Sequence, residues 1–90
     1  MPNAATYAKV KEHYLKTAHP KVYQEFKKTG ELNAHLRSAG QRAMQQYEAM
    51  EAQMMSRIHK ENLDYLDKVK EMEQIPHVVE EIVLDNLNSL

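Results

Sequence analysis

Between Pro20 and Pro76 the chain has no proline, and from Leu32 its apolar positions fall at 32, 36, 39, 43, 47, 50, 54 and 58. Steps of three and four residues are the period at which side chains recur on one face of an α-helix. Their average of about 3.7 residues is closer to a straight or slightly right-handed helix than to a heptad seam. A second apolar set, Met44, Met55, Leu63, Leu66, Val69 and Met72, takes over toward the C-terminal side. Unbroken from 31 to 75, this helix would be roughly 65 Å long at ~1.5 Å per residue. A compact chain of 90 residues has no room for it. Either the chain turns near His59-Lys60-Glu61-Asn62, with Asn62 as N-cap and Asp64 in the next first turn, or the long helix pairs with a second subunit in a homodimer. The turn is the expected solution.

The rest of the chain reads as shorter helices. Tyr7, Val10, Tyr14 and Ala18 form one stripe of a first helix over about residues 5 to 18. His19 ends it, because a residue before proline is pushed out of the α region, and Pro20 suits the first turn of the next helix, where its missing N–H is not needed. Val22, Tyr23 and Phe26 form the buried side of that second helix. Gly30 fits the C′ position at its end. A helix of about ten residues is unstable alone, so it has to be held by its neighbours. Pro76 is expected to open a last helix with the apolar residues Val78, Val79, Ile82, Val83 and Leu87. The fold class is therefore all-α: one domain, residues 1–90, of four to five helices with breaks at His19-Pro20, Gly30 and Ile75-Pro76. Phe26, Leu36, Ile82 and Val83 are the expected core residues joining the short N-terminal helices to the C-terminal one.

A chain this short buries only about 60–65% of its unfolded surface, so the core is modest and a partner or second copy could matter to stability. With 42% hydrophobic and 28% charged residues it lies in the globular range. It has no cysteine, hence no disulfide or thiolate metal site. The N-terminal MPNAATYAKV lacks the apolar region of a signal peptide, and no run is long enough for a membrane span. A cytoplasmic protein is expected. The net charge of −1 hides a gradient: residues 1–28 carry +4, and residues 60–90 carry −5. Basic and acidic helices packed side by side would partly cancel, whereas a basic face left open would suit nucleic acid.

Nothing in this pattern carries catalysis. Ser38, Ser56 and Ser89 lie in no nucleophile elbow, and two glycines build no phosphate cradle. Glu31 and His35 share a helix face at i, i+4, but no third metal ligand is suggested. No enzyme, cofactor or metal is expected. Two features could serve binding. Met50, Met54 and Met55, with Met44, have flexible side chains that can fill an irregular partner surface, although methionines at helical spacing also serve as core. Lys9, Lys11, Lys16, Lys21, Lys27 and Lys28 interleave with Tyr7, Tyr14 and Tyr23, so cations for phosphates and rings for bases lie together. If the tyrosines face the core, the lysines are only a solvated surface. Arginine, the usual reader of guanine edges, does not occur in this segment, which favours loose electrostatic contact over sequence readout.

Tyr7, Tyr14-Leu15-Lys16, Pro20, Tyr23, Gly30-Glu31-Leu32 and His35-Leu36 resemble the N-terminal signature of the transposon-encoded TnpV-like proteins. Glu80-Glu81-Ile82-Val83-Leu84 with Leu87 is similar to the family's ending. The likeness covers about the first thirty-six and the last twenty residues and is weak between them. It implies a bacterial mobile-element origin and no catalytic residues. Small proteins of such elements often act by occupying other machinery, including as inhibitors of defence nucleases. The expected function is stoichiometric binding to a protein or protein–nucleic-acid complex through Met50, Met54 and Met55. The alternative is a DNA-binding accessory or regulatory factor for excision or transfer, acting through the six N-terminal lysines.

Overall fold

The computed structural model describes residues 3–89, in which α1 (Ala4–Ala18), α2 (Pro20–Thr29), α3 (Leu32–Lys60) and α4 (Tyr65–Leu87) make up an all-α fold. Asn3, in extended backbone, caps α1 by accepting the Thr6 N–H at 2.8 Å. His19 separates α1 from α2, and Pro20 occupies the first turn of α2. Gly30 closes α2 at φ 78°, in the left-handed region, where a Cβ would be strained. The Glu31 N–H bonds back to the Phe26 carbonyl at 3.0 Å, satisfying an end carbonyl of the helix. The places of His19, Pro20 and Gly30 follow the sequence reading.

The long helix is broken where expected. α3 stops at Lys60 after 29 residues, ~43 Å, and α4 starts at Tyr65. The cap differs: Asp64, not Asn62, accepts the Asp67 N–H at 3.1 Å and so lies just outside the helix. Pro76 also departs from expectation, because it lies inside α4 rather than opening a fifth helix. A proline in a helix interior removes one backbone hydrogen bond and crowds the preceding turn, at a cost of ~3 kcal/mol. Ile75, Val79, Val83 and Leu87 are all buried along the same stripe. Burying several such side chains, at ~1.5–3 kcal/mol each, outweighs the penalty and carries the helix through.

α3 is the spine, and α1 and α4 both run antiparallel to it. Leu15, late in α1, meets Leu32 and Leu36, early in α3, with Tyr23 of α2 completing this cluster. Tyr7, Ala39, Ala43, Tyr47, Ile58, Ile75, Val79, Val83 and Leu87 form the second cluster. The 32-36-39-43-47-58 stripe of α3 is buried as its spacing predicts, with Met50 and Met54 half-buried along it. In α1 the buried stripe is Tyr7, Lys11 and Leu15; Val10 and Tyr14 are half-buried and Ala18 is exposed. Of the four expected bridging residues, Leu36 and Val83 are buried, but in different clusters. Phe26 and Ile82 are only half-buried. The junction is made by Tyr7 and Lys11 instead, since these α1 side chains reach Glu80 and the Leu87 carbonyl of α4, while α2 packs on α1 and α3.

The result is elongated, 56 × 19 × 18 Å, with a radius of gyration of 16.5 Å. A globular chain of this length has about 12 Å. Beyond Tyr47 neither α1 nor α2 contributes to either apolar cluster, and α3 and α4 continue as a two-helix arm.

Candidate functional site

The arm carries the methionines singled out by the sequence. Met50, Met54 and Met55 are half-buried, packed against Ile58, Ile75 and their neighbours on one side and reaching solvent on the other, together with Met44 and Met72. They are thus partly core and partly surface, which a long unbranched thioether side chain can manage. At the tip, Tyr65 is 78% exposed and Leu66 70% exposed. Leu66 belongs to the apolar set that the periodicity counts as buried. It is not, because the first turn of α4 lies at the arm's end with no third helix over it. Val78, 42% exposed, extends the apolar surface along α4.

Around this apolar surface the charge is acidic. Residues 48–78 hold seven acids against four lysines and arginines. A hollow of about 250 Å³ between the two arm helices is lined by Met54, Arg57, Ile58, Glu61, Glu71, Gln74, Ile75 and Val78. Desolvation raises the Glu71 pKa, with the hydrogen-bonded, like-charged Glu61 and then Asp67 adding to the shift. Carboxylates placed this close disfavour each other's ionisation, so Glu71 holds its proton more readily than an isolated glutamate.

The basic residues lie at the other end. Lys9, Lys16, Lys21, Lys27 and Lys28 are exposed on α1 and α2. Lys16 and Lys27 both sit over the Tyr23 ring, 5.4 and 5.7 Å from its centroid. Lys11 departs from the sequence expectation. It is 5% exposed, and its ammonium donates to the Leu87 carbonyl at 2.6 Å and the Ser89 carbonyl at 3.5 Å. It neutralises the negative end of α4 and is withdrawn from the surface set. Burial, and then Arg42, lower its pKa.

The tyrosines do not form a base-stacking platform. Tyr7 is fully buried and donates to Glu80 Oε2 at 2.8 Å; burial and that carboxylate raise its pKa. Tyr23 is 7% exposed. Tyr14 is half-buried and its hydroxyl hydrogen-bonds His19 Nε2 at 2.9 Å. The charge gradient is therefore only partly cancelled. α1 and α4 meet through Tyr7–Glu80 and Lys11–Leu87, but the lysines of α2 and the acids of the arm sit at opposite ends of the molecule.

His35 stacks on Phe26, ring centroids 4.5 Å apart, behind the α2–α3 corner. Among the described residues, no three His, Asp or Glu side chains gather as a metal site requires, and no helix is long and apolar enough to cross a membrane. The features invisible to sequence reasoning are Tyr65 and Leu66, whose exposure depends on where the arm ends, and Gly40, buried where α1 crosses α3.

No curated protein and no solved structure matches this chain. A family model does, that of the transposon-encoded protein TnpV, over residues 2–87, so the match also spans the middle of the chain, where the signature residues are sparse. The four-helix chain with the acidic, methionine-bearing arm belongs to the TnpV family of transposon-encoded proteins.

Proposed function

We propose that this protein is a non-enzymatic accessory factor of a mobile element that works by stoichiometric binding, with the α3–α4 arm as its docking surface. The observation that carries this reading is the arm itself: an apolar strip of half-buried methionines with exposed Tyr65 and Leu66, edged by excess carboxylates. Aromatic residues and methionine are enriched where proteins bind each other, and complementary charge steers the encounter. The partner that fits is a protein with a basic groove beside an apolar patch, the surface of a nucleic-acid-handling protein. Occupying such a groove would exclude its nucleic acid, and inhibition of a defence nuclease is one form this takes.

The DNA-binding reading rests on the five exposed lysines at 9, 16, 21, 27 and 28. With Tyr7 and Tyr23 buried and Tyr14 tied to His19, nonspecific phosphate contact is what remains to it. A direct test compares three proteins as bait in a nuclease-treated host lysate: wild type, Tyr65→Ser with Leu66→Ser, and Lys21→Gln with Lys27→Gln and Lys28→Gln. The proposal expects one partner at fixed stoichiometry, kept by the lysine variant, lost by the arm variant and weakened by salt. Salt-sensitive binding to bare duplex DNA, abolished by the lysine changes and indifferent to the arm changes, would reverse the order of the two readings. A concentration-dependent dimer that the arm variant dissociates would assign the arm to a second copy of the chain.

A further inference from the structure

A second concavity lies away from the arm, where α1, the first half of α3 and the last turn of α4 meet. It has a volume of about 520 Å³, within the size range of small-ligand sites. Lys11, His35 and Arg42 converge on it from α1 and α3, and Gln46, Asn86 and Ser89 add neutral polar groups. Its lining contains no aspartate or glutamate. The remaining wall is apolar, including Ala39, Ala43, Val83 and Leu87.

Three basic side chains without an acid are an uncompensated arrangement. The carbonyl end of α4 accounts for Lys11, which it holds by two hydrogen bonds. Arg42 is exposed and met by solvent, but nothing comparable accounts for His35. His35 Nε2 is buried and has no hydrogen-bond partner, a condition that folded proteins avoid unless something else supplies the partner. Burial, then Lys11, then Arg42 hold the His35 pKa down, and Arg42 contributes to the lowering at Lys11. Each of these repulsions would be relieved by one negative group in the cleft. Lys11, fixed by its contacts to Leu87 and Ser89, cannot swing away, so its positive charge is preorganised.

We propose that this cleft binds a small oxyanion, a phosphate or carboxylate group on a small molecule, with Arg42 and His35 Nε2 as donors to it and the tethered Lys11 ammonium behind them. Arg42 is exposed and presents a planar fork suited to two oxygens of such a group. Recessed Lys11 is out of reach of a broad surface such as a duplex. The rest of the ligand lies over the apolar side of the cleft.

The test is an NMR titration of the isotope-labelled full chain with inorganic phosphate, with acetate and with adenosine monophosphate, each at constant ionic strength set by chloride. Saturable shifts are expected at His35, Arg42, Gln46 and Ser89. The bound oxyanion should raise the His35 titration midpoint by about one unit, as an opposite charge close to the ring does. Arg42→Gln should weaken binding at least tenfold, whereas Arg37→Gln, on the same helix but outside the cleft, should leave it unchanged. Phosphate or the nucleotide binding more tightly than acetate assigns a phosphorylated ligand, and the reverse assigns a carboxylated one. Shifts that do not saturate for any of the three, or that persist unchanged in Arg42→Gln, overturn the proposal. Because Arg42 is remote from the arm, these outcomes are independent of whether the arm binds a partner.

Discussion

Replacing Gly40 with alanine should destabilise this protein, although a helix propensity scale says the opposite. Glycine in a helix interior is worse than alanine by ~1 kcal/mol, so Gly40→Ala in the middle of α3 looks like a simple gain. The structure puts α1 directly over that position. A Cβ at residue 40 would overlap the Ala4 carbonyl oxygen and lie 3.2 Å from the Ala4 carbonyl carbon and 3.3 Å from the Ala8 nitrogen. These are backbone atoms of a helix, which cannot rotate aside as a side chain would. Relief requires α1 to move as a body, disturbing the Tyr7–Glu80 and Lys11–Leu87 hydrogen bonds that tie it to α4.

Overpacking of this kind typically costs ~1–3 kcal/mol, and the rigidity of the opposing atoms puts the cost at the upper end. Subtracting the ~1 kcal/mol propensity gain leaves a net loss of about 2 kcal/mol. At ~2.1 cal/mol/K per residue the unfolding entropy of such a domain is ~0.19 kcal/mol/K, so Tm should fall by about 10 °C. Thermal denaturation followed by far-UV circular dichroism reads this directly, with Ser38→Ala, at an exposed site two residues earlier, as the control for propensity alone. The control should change little or gain slightly. A Tm for Gly40→Ala equal to or above wild type would show that α1 and α3 are not in close backbone contact.

Other expectations follow from particular contacts. Tyr7→Phe removes the hydroxyl that donates to Glu80 and should cost about 1.5–3 kcal/mol by denaturant unfolding, the range for a hydrogen bond to a charged group. Truncating fully buried Leu15 to alanine should cost more than truncating half-buried Ile82, a side chain of the same size; equal losses would contradict the burial pattern. The folded-state pKa of His35 lies below its unfolded value of 6.5, so its contribution to stability is complete above that value and is lost as pH falls through the folded pKa. Tm measured from pH 7 down to 5.5 should therefore decline, and His35→Phe should flatten the decline. If the lysines of α2 do contact phosphates, Lys21→Gln with Lys27→Gln and Lys28→Gln should lower the slope of log affinity against log salt by about two; the arm reading expects no measurable affinity for bare duplex to begin with.

Local chemistry was legible in the sequence wherever a residue acts on its own neighbours. His19-Pro20, Gly30 and the spacing from Leu32 to Ile58 determine where α1, α2 and α3 begin, end and bury their faces, because those effects operate within a turn of helix. The signature residues likewise indicated the family that the chain-wide match establishes. What tertiary structure decided lies where two elements meet. Pro76 should break a helix by local rules, yet packing of Ile75, Val79 and Val83 against α3 holds α4 through it. Lys11 reads as a surface cation until α4 ends beside it and supplies two carbonyls. Leu66 reads as core until the arm runs out of neighbours. The cleft around Arg42 and His35 is assembled from three helices, so no stretch of sequence contains it. Periodicity reports which face of a helix is apolar, but the cover for that face comes from chain segments tens of residues away, and only the folded chain brings them together.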